Sequence, residues 1–148
     1  MQDKGIRIDG IGLQGHWGMN YPKLEEIEHM LDEYGKLNVK LMITELDINV
    51  VAKKNTGADI NQTQDAGAAS SADALPADQQ QALAQRYADI FKIFMKHRDK
   101  IDRVTFWGVH DGHSWLNDRG PKNHPLLFDR QLQPKPAFAA VLAVAKRQ

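Results

Sequence analysis

The chain has 148 residues and no cysteine. That excludes disulfides, thiol nucleophiles and cysteine-ligated metals, and it leaves the redox compartment open. Charge of one sign is also missing, since 19 Lys and Arg balance 19 Asp and Glu. With no net field and no basic block, nothing in the chain attracts nucleic acid or an anionic membrane. No apolar run approaches the roughly 20 residues of a membrane helix, and the opening "MQDKGIRIDG" lacks a stretch of signal-peptide length. The chain as written is expected to be soluble, with no address of its own, and of a size for one domain with a core rather than two.

What is present is an alternation of two periods. Apolar, β-branched or aromatic runs at residues 6–16 ("IRIDGIGLQGH"), 39–48 ("VKLMITELDI") and 103–111 ("RVTFWGVHD") read as strands. Between and after them, residues 22–35, 76–97 and 136–146 carry apolar side chains at helical spacing, for example Leu83, Tyr87, Ile90 and Phe94. Pro22 and Pro76 suit first-turn positions and Gly35 suits a helix stop. The order βαβαβα implies a parallel sheet covered by helices, with functional residues at the carboxyl ends of the strands. Residues 52–75, "AKKNTGADINQTQDAGAASSADAL", break the pattern. A run this long without periodicity exceeds the ~12–15 residues of ordinary loops, and it is expected to be a variable surface loop or, since it follows the second strand, a cover for substrate.

The second run, "LMITELDINV", places two acids inside the most apolar stretch of the chain. Strand alternation puts Glu45 and Asp47 on one face, with Thr44, Leu46 and Ile48 on the other. A strand-end carboxylate paired with Lys or Arg is the structural alternative for Glu45. Two close acids in apolar surroundings resist ionisation, however, a cost that belongs more often to functional sites. Gln14 and His16 share a face at the end of the first strand, and Thr105, Trp107, Val109 and Asp111 share one in the third. If Asp47 lies across from His16, it can fix the imidazole tautomer and leave the other nitrogen to a neighbouring carboxylate. A metal held by His16, Glu45, Asp47, Asp111 and His113 is the competing chemistry, but no HExxH-type spacing is present and no metal is expected. Trp17, Trp107 and Trp115 follow strand ends, where they serve either packing or the stacking of sugar rings.

In their order, "IDGIGLQGHW", "ITELDI", "RVTFWGVHDGHSWLN" and "PLLFDRQLQPKPAF" resemble glycoside hydrolase family 10, the endo-β-1,4-xylanases. The resemblance runs through nearly the whole chain apart from residues 52–75. It implies strands six to eight of a (β/α)8 TIM barrel with their outer helices, the C-terminal portion of a catalytic domain covering residues 1–148. By the same resemblance Glu45 matches the catalytic nucleophile, His16 its hydrogen-bonding histidine, and Asp47 the support of that histidine. Gln14 matches a glutamine near the acid/base, and Trp107 and Trp115 match the aromatic walls of the sugar site. The implied chemistry is retaining hydrolysis of xylan, without metal or cofactor, in a secreted or periplasmic setting.

The sequence departs from the family pattern in one consequential respect. The acid/base glutamate belongs to a "VNE"-like motif on strand four, and no such motif occurs in these 148 residues. The earlier strands that contribute Lys, His and Asn contacts to sugar are likewise not represented. The chain is therefore expected to act with the remainder of the barrel, in the same polypeptide or a partner chain, on xylan or xylo-oligosaccharide. The alternative is a non-catalytic oligosaccharide-binding or structural fragment. Asp111, on the next strand, is the resident carboxylate that would have to replace the missing acid.

Overall fold

The computed structural model describes residues 4–51 and 74–146. In chain order these form β1 (Gly10–Leu13), β2 (His16–Gly18), α1 (Leu24–Gly35), β3 (Lys40–Asn49), α2 (Ala77–Lys96), β4 (Ile101–Phe106) and α3 (Pro136–Ala145). Two short 3-10 segments, Asp111–His113 and Trp115–Arg119, lie between β4 and α3. Every ladder is parallel: β1 and then β2 pair with one side of β3, and β4 pairs with the other. The βαβαβα order is thus observed, with the first strand divided into two pieces. The loop expected at residues 52–75 lies outside the described residues up to position 73; Leu75, at its end, is buried in the core.

The helices form where the apolar spacing places them. In α1, Ile27 and Leu31 are buried, while Glu25 and Glu26 occupy the first turn, where the unpaired backbone N–H groups favour negative charge. Pro22 precedes the N-cap residue Lys23 and is not in the first turn; Pro76 is itself the N-cap of α2 and Pro136 opens α3. α2 packs against both α1 and α3. It buries Leu83, Tyr87, Ile90 and Phe94 against the sheet, where Leu41, Ile43, Leu46 and Ile48 of β3 are 0% exposed. Each such side chain contributes about 1.5–3 kcal/mol relative to leaving it in water.

Those four β3 residues do not follow a single alternation, and this corrects the expected facing of Thr44. From Ile43 to Leu46 the strand advances three residues, whereas β4 advances two, from Val104 to Phe106. On the other side, Ile43 to Asp47 spans four residues against three from Leu13 to His16. β3 therefore carries one extra residue relative to both neighbours, a β-bulge within Thr44–Glu45. Ile43 and Leu46 lie on the same face, since both would meet a side chain added at Gly15. Thr44 instead lies opposite Gly12, and its hydroxyl donates to the Leu13 carbonyl at 3.2 Å. The bulge is what keeps an apolar helix-facing row on both halves of β3 while Glu45 and Asp47 turn to the opposite face.

The third strand ends earlier than expected. After Phe106 the chain passes through Gly108 at φ 142, and Asp111 belongs to a 3-10 segment instead of the strand. A side chain at Gly108 would meet Leu126 at 2.8 Å, so both conformation and space demand glycine there. Val109 is 70% exposed and Asp111 0%, so the expected common face with Thr105 and Trp107 does not extend to both.

Candidate active site

The ends of β2 and β3 bring three titratable side chains into one line. His16 pairs with Asp47 in the ladder. Its Nδ1 lies 3.0 Å from Asp47 Oδ1, and its Nε2 lies 3.0 Å from Glu45 Oε2. The second Asp47 oxygen accepts a hydrogen bond from Trp115 Nε1 at 2.7 Å. Asp47 is buried, at 1% exposure, whereas the side chains of His16 and Glu45 keep 24% and 23%. The array is thus closed at the aspartate and open at the glutamate. The Glu45 partner is a histidine, in place of the Lys or Arg of the structural alternative.

Burial pushes the Asp47 carboxyl above the ordinary aspartate range, opposed by the hydrogen bonds from Trp115 and His16. Both ring nitrogens of His16 face carboxylate oxygens, which only accept when ionised. A complete set of hydrogen bonds therefore places a proton on each line, from an imidazolium or from one neutral carboxyl. In either form Asp47 fixes the ring orientation and His16 holds one oxygen of Glu45, leaving the other for reaction.

The tryptophans have three different surroundings. Trp115 tilts over His16 with ring centroids 4.9 Å apart, and Trp107 meets the same ring edge-on at 6.2 Å. Trp107 is 45% exposed and offers a face to the cleft. Trp17, weighed for the same service, lies within β2 and packs against Phe94 at 6.1 Å, on the helix side. Gln14 is exposed, and its carbonyl accepts the backbone N–H of Glu45 at 2.8 Å. Glutamine, histidine, glutamate and two tryptophans are thereby gathered at one end of the sheet.

Asp111 is not available to this group. It is fully buried, its Oδ2 lies 2.9 Å from Lys135 Nζ, and its Oδ1 accepts from the Leu126 backbone at 2.9 Å. A carboxylate so engaged cannot protonate a leaving group, which removes it as a replacement acid. The proposed five-residue metal cluster is not assembled either: among the described residues no group of three or more His, Asp or Glu is arranged to hold an ion. Lys135 was not foreseen from the sequence, because a lysine between two prolines carries no periodic signal of burial. The indole bond from Trp115 to Asp47 was also not foreseen.

Comparison with known proteins places this geometry. The family model for Glycosyl hydrolase family 10 matches residues 1–144. The chain belongs to glycosyl hydrolase family 10. An endo-1,4-beta-xylanase of Geobacillus stearothermophilus is 42% identical over 148 residues, covering 97% of this chain and 41% of the relative. An endo-1,4-beta-xylanase B of Paenibacillus barcinonensis is 36% identical, covering 95% and 40%. A GH10 endoxylanase from a sugarcane soil metagenome superposes with a TM-score of 0.81 at 41% identity, covering 98% of this chain and 42% of that one. The chain thus spans about two fifths of these relatives, and its parallel strands and helices form part of an α/β barrel. Among the described residues no helix is long and apolar enough to cross a membrane.

Proposed function

We propose that this family 10 chain is the nucleophile-bearing part of a retaining endo-β-1,4-xylanase, with Glu45 as nucleophile. The observation that carries the reading is the Glu45–His16–Asp47 line, in which a partly exposed carboxylate is held by an imidazole that a buried aspartate orients. Trp107 supplies an apolar face for a sugar ring beside it, and Gln14 a polar contact at its rim. Support for the substrate class comes from the xylanase relatives and from a solved neighbour in complex with xylotriose, 31% identical with a TM-score of 0.77. The likeness to xylanases also supports a secreted or periplasmic setting for the reaction.

In the first step the free oxygen of Glu45 attacks the anomeric carbon as the glycosidic C–O bond breaks. A second carboxyl group about 5–5.5 Å away protonates the departing oxygen. The other Glu45 oxygen becomes the carbonyl of the glycosyl ester and still accepts from His16 Nε2–H. In the second step water, deprotonated by that second group, attacks the same carbon, and Glu45 leaves as a carboxylate. His16 favours this departure because its Nε2–H already hydrogen-bonds the carboxyl group over which the negative charge spreads. The second carboxyl group belongs to strands outside this sequence, so the active species is the assembled barrel: this chain joined to, or complemented by, those strands. The chain alone is expected to bind oligosaccharide weakly and to turn it over little or not at all.

The test uses an aryl xylobioside whose leaving group departs without protonation, with intact mass recorded for the assembled barrel. A glycosyl adduct on Glu45, lost in Glu45→Gln, supports the assignment; sugar trapped on another residue would sink it. Vigorous xylan hydrolysis by the 148-residue chain as a monomer would overturn the division of labour between the two carboxyl groups.

A further inference from the structure

The geometry points to Asp111 and Lys135 as a positioning pair for the Glu45 reaction, acting through Trp115. The pair touches neither sugar nor Glu45, and the inference rests on the reading of Glu45 as nucleophile.

The connection runs through hydrogen bonds at both ends and, from Asp111 and Asn117 to Trp115, through the few chain residues between them. Lys135 Nζ uses its three donors on Asp111 Oδ2, the His124 carbonyl at 2.8 Å and the Leu126 carbonyl at 2.7 Å. Asp111 Oδ1 accepts from the Leu126 N–H, the Asp111 N–H donates to the Phe128 carbonyl at 3.0 Å, and the Asp111 carbonyl accepts from Asn117 Nδ2 at 2.9 Å. Asn117 Oδ1 in turn accepts from the Asn123 backbone and from Arg130, both at 2.9 Å. Trp115 lies between the two anchors, Asp111 and Asn117. Its indole then donates to Asp47, which orients His16, which holds Glu45.

A buried ion pair is a poor stability device, because desolvation offsets much of its Coulombic gain, and well-packed apolar residues of similar volume often serve the fold equally well. Apolar residues cannot, however, supply three directed donors that fix where a loop sits. Lys135 ties residues 124 and 126 to Asp111 through one charged centre, and so sets the position of the segment that presents Trp115. Within this loop the pair specifies a geometry, and the nearest geometry of chemical consequence is the indole on Asp47.

The assembled barrel tests this with the joint substitution Asp111→Leu and Lys135→Met, which leaves no charge buried alone. Exchange of the Trp115 indole proton, followed by labelling tryptophan with ¹⁵N, should accelerate about tenfold or more as the local structure loosens. With the activated aryl xylobioside, kcat should fall about tenfold while KM stays within about twofold, and adding Trp115→Phe should cost little more. Unchanged indole exchange, or a kcat loss that adds in full to that of Trp115→Phe, would overturn the positioning role. Should the joint variant fail to fold, Asn117→Ala releases the other anchor and must accelerate the same exchange; no acceleration there equally refutes the inference. Indole exchange needs no turnover. A barrel inactive in every form, yet loosened at Trp115, would therefore refute the xylanase reading, and the catalytic role of the pair with it, while showing that the pair fixes the indole.

Discussion

At the Glu45 site the carboxylate and the imidazole each retain about a quarter of their side-chain surface, at 23% and 24%. At the Asp111–Lys135 pair the corresponding figures are 1% and 5%. Both clusters join an acid to a basic group over about 3 Å, and both are met by the segment after β4, through the Trp115 indole at Asp47 and through backbone carbonyls and an amide at Asp111–Lys135. They differ in what is left over. Lys135 spends its three donors and Asp111 both its oxygens, so the closed pair holds nothing in reserve. Glu45 has one oxygen on His16 and keeps the other unengaged among the described residues. On the proposed reading, reactivity belongs where the hydrogen bonding is incomplete and solvent reaches it, and rigidity where neither holds.

Breaking each cluster should therefore fail in a different way. The largest effect is expected for Glu45→Gln in the assembled barrel, with glycosylation of the activated substrate slowed by about 10³-fold or more and the urea midpoint scarcely moved. Next, Asp111→Ala leaves the Lys135 ammonium buried without its partner and should lower unfolding stability by about 3–5 kcal/mol, measured by urea titration. A small change there would mean that water or another acceptor reaches Lys135. Gly15→Ala probes the backbone beneath the open site: φ is +87 and the new methyl would meet Ile43 at 2.9 Å. Its expected cost is about 1–3 kcal/mol, with a loss of rate from displacement of the adjoining His16.

A smaller effect sharpens the comparison through pH. Burial raises the Asp47 carboxyl above its unfolded value, so between the two values the folded chain binds more protons than the unfolded one. Stability from this group consequently falls as pH rises through that window and is flat above the folded pKa. Asp47→Asn lacks the titration, so the stability of wild type relative to this variant should decline from acid toward neutral pH. Urea unfolding across that range checks the sign, and a rising difference would contradict it. The smallest effect is at the surface, where Arg7 and Asp9 pair at 2.8 Å with 86% and 73% of their side chains exposed. Asp9→Asn should leave the unfolding midpoint unchanged within error.

Much of this was legible in the sequence. The two periods located three strands and three helices, and the apolar positions of α2 read directly as its buried face. Strand alternation put Glu45 and Asp47 on one face and allowed His16 to lie across from Asp47, while the link from His16 to Glu45 came from the family resemblance; the ladder pairs His16 with Asp47. The facing of Thr44 could not be read, since period-two reasoning assumes an unbroken pleat and a bulge has no residue signature here. The end of β4 was overrun for a related reason: "WGVHD" is apolar enough for a strand, and what stops it is the backbone at Gly108 and the burial of Asp111 by groups some two dozen residues later. Lys135 could be placed only by tertiary structure, because nothing local distinguishes a buried lysine from a solvated one.

The extra residue of β3 also bears on the partner of Glu45. Retaining glycosidases hold their two carboxyl groups about 5–5.5 Å apart. On the proposed reading, the bulge lets one strand serve two masters, packing Ile43 and Leu46 toward the helices while turning Glu45 toward the face where its partner carboxyl group must stand.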